Sequence, residues 1–329
     1  MRYIVNSSTD PYFNIALEEY CLMNVDPGES YFLLWQNDPS IIIGKNQNTL
    51  EEINPGFVEK RGIKVVRRIS GGGAVYHDLG NLNFTFISDV DPERSTDFAV
   101  FANPVINVLK ELGVDAMLLG RNDIIAYDRK ISGNAQRLYR KKFLQHGTLL
   151  FDVNIEDLAE ALNVSSDKIQ SKGIKSIRSR VGNIREFLKE DMSIDEFRER
   201  LQKRLSDDYN SEEIKLSAKD LAQITETARN KFASWAWTYG ESPPFNYRFE
   251  KRFTGGKVGV FIHVKEGFIT SCKFYGDYLS ILDSEEIAAA LIGLRYDRQK
   301  LEQALAGIDL SHYFGAITQD ELLTVLFSE

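Results

Sequence analysis

The chain has 329 residues, 43% hydrophobic and 27% charged, with a formal net charge of −8, enough length for two domains or for one large domain with an appendage. The acidic balance excludes a general nucleic-acid binder, which rests on a basic footprint. No apolar run approaches the roughly 20 residues of a bilayer-spanning helix, which excludes a helical membrane protein.

Met1–Asn6 lacks the apolar core of a secretion signal. The two cysteines, Cys21 and Cys272, make neither a disulfide framework nor a metal cluster, and both observations lead us to expect a reducing cytoplasm. Asp10 is placed to cap a helix that Pro11 opens, along which Phe13, Ala16, Leu17, Tyr20 and Cys21 recur at helical spacing. Cys21 therefore reads as a packed core thiol. Strand-like runs follow at Tyr31–Trp35 and Ile41–Gly44, parted by Asn37-Asp38-Pro39. Ile63–Arg68 and Leu82–Ile87 read as strands flanking a glycine-rich turn. Phe98–Leu112 is helical, with Pro104 as a kink and Gly113 as the stop. Asp123–Tyr127, Lys130–Gln136 and Phe143–Phe151 form a three-strand meander. Glu156–Leu162, Ser193–Leu205 and Ala218–Ser234 are helices, the second opening on the capping box Ser193-Ile194-Asp195-Glu196. Gly240-Glu241-Ser242-Pro243-Pro244 breaks regular structure and reads as a linker. Beyond it, strands around Gly255-Gly256 and Gly267 precede helices at Ser284–Leu294, Asp297–Leu305 and Thr318–Leu326. Antiparallel strands mixed with helices, without steady β-α alternation, give an α+β class with domains at 1–240 and 241–329.

Chemistry concentrates in Arg67-Arg68-Ile69-Ser70-Gly71-Gly72-Gly73-Ala74-Val75-Tyr76-His77-Asp78. Three consecutive glycines let the backbone approach a ligand and adopt positive φ, and successive N–H groups there can form an anion nest. The paired arginines add permanently charged forks suited to phosphate or carboxylate. A tight hairpin turn with a solvated basic pair is the bland alternative. Lys130 lies in a predicted strand beside Ser132, Gly133 and Ala135, which leave room for a ligand; alone it is equally an exposed strand lysine. Asn122 and Asp123 precede the neighbouring strand, where an Asp suits Mg²⁺ held by one carboxylate plus phosphates and water, or where the pair makes an Asx-turn. His146 and His77 read alone as a half-buried histidine and as a turn residue. No Cys-x-x-Cys or His-x-x-x-His pattern supports structural zinc.

Together these segments resemble the lipoate–protein ligase A family. The resemblance rests on Arg67–Asp78 with Leu79-Gly80-Asn81 and Phe84-Thr85-Phe86, on Gly120–Asp123, on Asp128–Gly133 and on His146-Gly147-Thr148-Leu149-Leu150. Lys172–Val181, Trp35 and Gly44-Lys45-Asn46-Gln47-Asn48 also match, although the family more often has Arg where this chain has Lys45. The resemblance spans essentially the whole chain. It implies a biotin/lipoate-ligase-like, class II synthetase-like catalytic domain with a mainly antiparallel sheet and flanking helices, followed by a small α+β domain that reorients as the adenylate forms. It also implies ATP and Mg²⁺ as cofactors and lipoate as substrate. Lipoate becomes lipoyl-AMP, and the lipoyl group then passes to a lysine of a lipoyl domain in 2-oxoacid dehydrogenase E2 subunits or in the glycine-cleavage H protein. No nucleic acid or membrane partner is implied. Lys130 and Arg68 become the catalytic cations. Arg68, Gly71, Gly72, Gly73, Ala74, Val75, Tyr76, Asn122 and Lys130 become the ATP-binding set. Lys130, His77, His146 and Trp35 hold lipoate, and Asp123 is the Mg²⁺ candidate. Two rivals remain: an ATP-independent lipoyl or octanoyl transferase on the same fold, and a non-catalytic lipoate sensor. The octanoyl transferases use a cysteine nucleophile, and no cysteine lies near Lys130 or His146 in sequence. A biotin ligase fits less well, because the matched motifs belong to the lipoate branch.

Overall fold

The computed structural model describes residues 1–24, 26, 28–91, 97–120, 122–162, 180–239 and 247–327. The linker at Gly240–Pro244 and most of the Lys172–Val181 motif lie outside the described residues. The strands are β1 (Arg2–Val5), β2 (Tyr31–Trp35), β3 (Ser40–Ile43), β4 (Lys64–Arg67), β5 (Val75–His77), β6 (Asn81–Asp89), β7 (Ala116–Leu119), β8 (Asp123–Ala126), β9 (Arg129–Tyr139), β10 (Lys142–Leu150), β11 (Glu212–Ile214), β12 (Tyr247–Phe253), β13 (Gly256–Lys265) and β14 (Phe268–Gly276). An eight-stranded sheet runs β11-β1-β2-β6-β10-β9-β8-β7, antiparallel except where β1 meets β2 and β11.

Strand alternation sorts β6 to two faces. Leu82, Phe84 and Phe86 enter an apolar cluster roofed by the helices Ala99–Glu111 and Ile194–Tyr209. Asn83, Thr85 and Ile87 turn to the opposite face, where helix α1 (Pro11–Asn24) packs Ile15, Leu17 and Leu22 against Leu33 and Phe232. Thr85 is the register partner of both Leu33 and His146, so β2, β6 and β10 present these residues to α1 together. Cys21 is buried in this second cluster, as its helical spacing predicts. The Ser193–Glu196 capping box forms as predicted. The helix predicted at Ala218–Ser234 is α-helical only to Thr227 and then widens into a π turn over Ala228–Phe232.

The glycine-rich turn differs from the expectation. It does not join two neighbouring strands, because β5 lies between it and β6. β4 and β5 flank β3 on opposite sides, parallel and antiparallel respectively. The turn therefore crosses over the end of β3, and the hairpin alternative falls. β5 was missed because three residues beside glycines carry no usable alternation. β7 was missed too: it is a short edge strand with Met117 and Leu119 exposed.

Residues 247–327 form their own antiparallel sheet, β12-β13-β14, packed on helices at Ser284–Leu291, Arg298–Leu305 and Gln319–Phe327 around Val260, Ile262, Leu301, Phe314 and Leu322. The segment after β14 docks on the glycine turn. Gly72 N–H donates to Tyr278 O at 2.9 Å, Gly276 N–H to Asn46 O at 2.8 Å and Leu138 N–H to Ile281 O at 2.7 Å. Arg137 grips Asp283 through two bonds of 3.0 and 2.7 Å.

Candidate active site

A cleft of about 520 Å³ opens between the glycine turn, β8–β10 and the C-terminal sheet. Lys130, Arg68, Asp123, Asn122, Gly72, Gly73, Ala74, Val75, His77, His146 and Trp35 all line it. Two other residues of the predicted set do not. Tyr76 alternates away from Val75 and His77 into the apolar cluster of Ile41, Ile43 and Val65. Gly71 backs onto the C-terminal segment, where a Cβ would lie 2.7 Å from Ser280 N.

The turn is built around two buried arginines. Arg68 Nε donates to Ser70 Oγ (3.0 Å), Nη1 to Ile42 O (3.0 Å), and Nη2 to Gly71 O (2.6 Å) and Gly73 O (2.9 Å). Four of its five donors are thus taken by the fold. Burial lowers its pKa to about 10, opposed by Glu18 nearby. Arg67 binds the carbonyls of Gly44, Lys45, Gln47, Trp237 and Thr238, and burial pushes it down to about 10 as well. The paired forks foreseen for an anion therefore pin backbone. Gly72 adopts φ +90°, which favours glycine, and its N–H is occupied by Tyr278.

Behind the turn runs a buried polar chain that begins at Glu18, which the sequence reading did not single out. Glu18 accepts from His146 Nδ1 at 2.9 Å and from Thr85 Oγ1 at 2.5 Å. Because a carboxylate only accepts, His146 carries a proton on Nδ1, and its Nε2 shares a hydrogen bond with the Ser70 hydroxyl, 2.7 Å away. Trp35 Nε1 donates to Thr85 Oγ1 at 2.9 Å. The Ser70–His146–Glu18 order mimics a hydrolytic triad. Ser70, however, has no exposed surface, does not line the cleft and already accepts from Arg68. The chain instead ties α1, β6 and β10 to the glycine turn. Spacing gave no hint of Glu18, since α1 is buried on both faces and its acids interrupt the apolar stripe.

His77 stands edge-on to Trp35, with ring centroids 6.1 Å apart. Asn37 donates to its Nδ1 at 3.0 Å, which leaves the Nε2–H without a partner among the described residues. Burial, with Arg68 and His146 adding to it, lowers its pKa to about 3, so the ring is neutral. Ile15, Trp35, Ile42 and Val75 complete an apolar wall suited to an alkyl chain.

The opposite chemistry sits on β8 and β9. Lys130 Nζ pairs with Asp123 Oδ1 at 2.7 Å, and both side chains are 37% exposed. A bulge between Ile124 and Ile125 shifts the β8–β9 register at this point. Beside it, Gly133 leaves a gap, since a Cβ there would lie 3.0 Å from Lys130 Nζ. On the other side, Lys130 N–H donates to Arg180 O (2.7 Å) and Gly182 N–H to Lys130 O (3.0 Å). The end of the Lys172–Val181 motif thus meets the backbone of the cleft lysine. Asn122 does not face a ligand freely, because its side chain donates to Asn134 O. Among the described residues no group of three His, Cys, Asp or Glu could hold a metal by itself. Asp123 still fits Mg²⁺, which takes one carboxylate and completes its shell with phosphates and water. Cys21 and Cys272 are buried away from the cleft, and burial raises both thiols, Cys272 to about 12.

The pattern described as "Lipoyl protein ligase A/B catalytic domain" matches residues 10–206, and "Bacterial lipoate protein ligase C-terminus" matches residues 242–326. Lipoate-protein ligase LplJ of Bacillus subtilis is 48% identical over 99% of this chain and 100% of its own length. P. falciparum LipL1, solved in complex with lipoate, superposes with a TM-score of 0.78 at 28% identity and covers 94% of each chain. A lipoate-protein ligase A bound with ATP superposes at 0.64 with 29% identity, covering 73% of this chain and 98% of its own. The chain belongs to the lipoate–protein ligase family, and it is an enzyme that forms lipoyl–lysine amide bonds.

Proposed function

We propose that the chain activates lipoate with ATP and passes the lipoyl group to the lysine of lipoyl domains in 2-oxoacid dehydrogenase E2 subunits and the glycine-cleavage H protein. The observation that carries this reading is the half-exposed Lys130–Asp123 pair in one cleft with the glycine turn and an apolar wall. In the first step a lipoate carboxylate oxygen attacks the α-phosphorus, the Pα–O bond to the β-phosphate breaks, and pyrophosphate leaves with the electron pair. In the second, the neutral ε-amine of the acceptor lysine attacks the acyl carbonyl. AMP leaves, and the amine gives one proton to solvent.

Two anions meet in the first step, so a fixed cation at the junction lowers both barriers. Lys130 supplies it, bound to the acyl carbonyl oxygen and the phosphate, as a charge and not as a nucleophile. Gly73, Ala74 and Val75 are the part of the turn proposed to embrace the nucleotide, while Arg68 acts behind them by shaping the turn. Asp123 and the substrate phosphates would hold Mg²⁺, which supplies charge neutralisation at those phosphates. Trp35, His77 and His146 line the proposed lipoate channel. Residues 1–240 form the proposed catalytic domain and 241–329 the accessory domain, and the separate sheet and core of 247–327 support that division. Among the described residues no helix is long and apolar enough to cross a membrane. Cys21 and Cys272 are both free, which supports the proposed cytoplasmic setting.

The test is pyrophosphate release on mixing protein, lipoate, MgATP and a lipoyl-domain acceptor, with the lipoyl mass gain on the acceptor read in parallel. ATP-dependent release and modification are expected. Modification without ATP, from a lipoylated donor protein, would establish the transferase instead.

A further inference from the structure

The C-terminal part of the chain does more than cover the cleft. It contributes Arg252, Asp277 and Leu279 to the lining. Among the described residues, the Lys and Arg side chains lining the cleft are Arg68, Lys130 and Arg252. The three are held differently. Arg68 has four donors fixed to the turn. Lys130 leans on Asp123. Arg252 makes two bonds, both to Asp277, through Nη1 (3.4 Å) and Nη2 (3.0 Å). Its Nε–H has no partner among the described residues, and its side chain is 29% exposed against 10% for Asp277. Asp277 is itself fixed, because its Oδ1 accepts the Lys257 N–H at 2.5 Å and its own N–H donates to Lys257 O at 3.1 Å. A Cβ on Gly73 would lie 4.0 Å from Asp277 Cβ, which places Asp277 directly against the turn, and Arg252 lines the same cleft. A guanidinium with donors in reserve, aimed by an anchored carboxylate beside the turn, is suited to a polyphosphate.

We infer that Arg252 is a further catalytic residue of adenylate formation, contributed by the C-terminal domain: it binds the pyrophosphate portion of ATP, and Asp277 is the positioning residue that aims it. This rests on the proposed ATP-dependent reaction. As the carboxylate oxygen bonds to the α-phosphorus and the Pα–O bond breaks, negative charge grows on the departing pyrophosphate, where a guanidinium lowers the barrier without any proton transfer. In the second half-reaction the leaving group is AMP and the pyrophosphate position is empty. Arg252 therefore serves the first half-reaction alone.

The experiment takes full-length wild type, Arg252→Gln, Arg252→Lys and Asp277→Asn through three measurements, with circular dichroism melts as a check on folding. Pyrophosphate release from lipoate and MgATP is expected to fall roughly 10²-fold in Arg252→Gln, the usual loss for one transition-state donor. Lysine, which keeps the charge and loses the fork, is expected to recover part of that loss, and Asp277→Asn to fall between. Transfer from synthetic lipoyl-adenylate to a lipoyl domain is expected to stay within about threefold of wild type for all variants, less than half the 1.4 kcal/mol of a tenfold change. Magnesium pyrophosphate, titrated by calorimetry, is expected to bind wild type and to lose roughly tenfold in affinity in Arg252→Gln. Pyrophosphate release within threefold of wild type, or equal losses in both half-reactions, would overturn the inference; if Arg252→Gln fails to fold, an Arg252→Lys enzyme unchanged in all three readouts does so. If wild type releases no pyrophosphate but binds it in an Arg252-dependent way, the ATP-dependent reading falls while the Arg252 site stands.

Discussion

The floor and the rim of the cleft use charge in opposite ways. On the floor, Arg68 and Glu18 are almost fully buried, and their polar atoms are tied into the turn, His146 and Thr85. On the rim, Lys130 and Asp123 are each 37% exposed and paired chiefly with one another. A buried charge must be compensated by the fold, and removing a partner from such a network is costly. An exposed pair contributes about 0–1 kcal/mol to stability and remains free to exchange its partner for a ligand. The floor sets the shape and the rim acts on the substrate.

The largest effect on turnover is expected at Lys130. Lys130→Ala is expected to lower pyrophosphate release by roughly 10²–10³ while leaving the melting curve nearly unchanged; near wild-type turnover would remove its assigned role. Glu18→Gln reverses the balance, because it removes the charge that faces Arg68 and weakens the bond to His146. A loss of about 1.5–3 kcal/mol in urea denaturation is expected. An unchanged midpoint would show that the buried chain carries no stability. The glycines sharpen the contrast within one turn. Gly71→Val meets Ser280 and Tyr278, at 2.7 and 3.0 Å from the first added carbon, and is expected to cost roughly 1–3 kcal/mol. Gly73→Ala meets nothing nearer than Asp277 Cβ at 4.0 Å, so it is expected to raise the KM for ATP and leave the fold intact. Equal melting losses for both would contradict this. One effect appears only in acid. His77 titrates near 3 when folded, below its ordinary value of about 6.5 when unfolded. Its contribution is complete above pH 6.5 and is lost as pH falls from there towards 3. Urea midpoints measured from pH 7 to 4 are expected to fall less steeply in His77→Asn than in wild type, and parallel slopes would clear His77.

What the sequence could reveal follows the same division. Lys130, Asp123 and the turn glycines lie in local motifs of small residues, and the cleft gathers most of them. The same locality is silent on how the arginines are held. Adjacent cations beside glycines look like a ligand site, and nothing local tells that Arg68 reaches back to Ile42 O or that Arg67 reaches forward to Thr238 O. Glu18 was invisible because its partners, Thr85 and His146, are 67 and 128 residues away in sequence. The inward turn of the Tyr76 side chain was hidden because β5 is too short to announce which side chains alternate inward. Arg252 and Asp277 carried no signal as a pair, since their meeting depends on the strand order β12-β13-β14.

Rim charge thus serves chemistry and floor charge serves structure. The most direct measurement determines pyrophosphate release and the melting temperature side by side for Lys130→Ala and Arg68→Gln. Arg68→Gln is predicted to lose roughly 3–5 kcal/mol of stability, as expected when one member of a buried charge network is removed, and to lose activity in step with its folded fraction. Lys130→Ala is predicted to stay folded and to lose turnover alone. An Arg68→Gln enzyme that melts like wild type yet releases no pyrophosphate would contradict the account, because the floor would then be acting on the substrate.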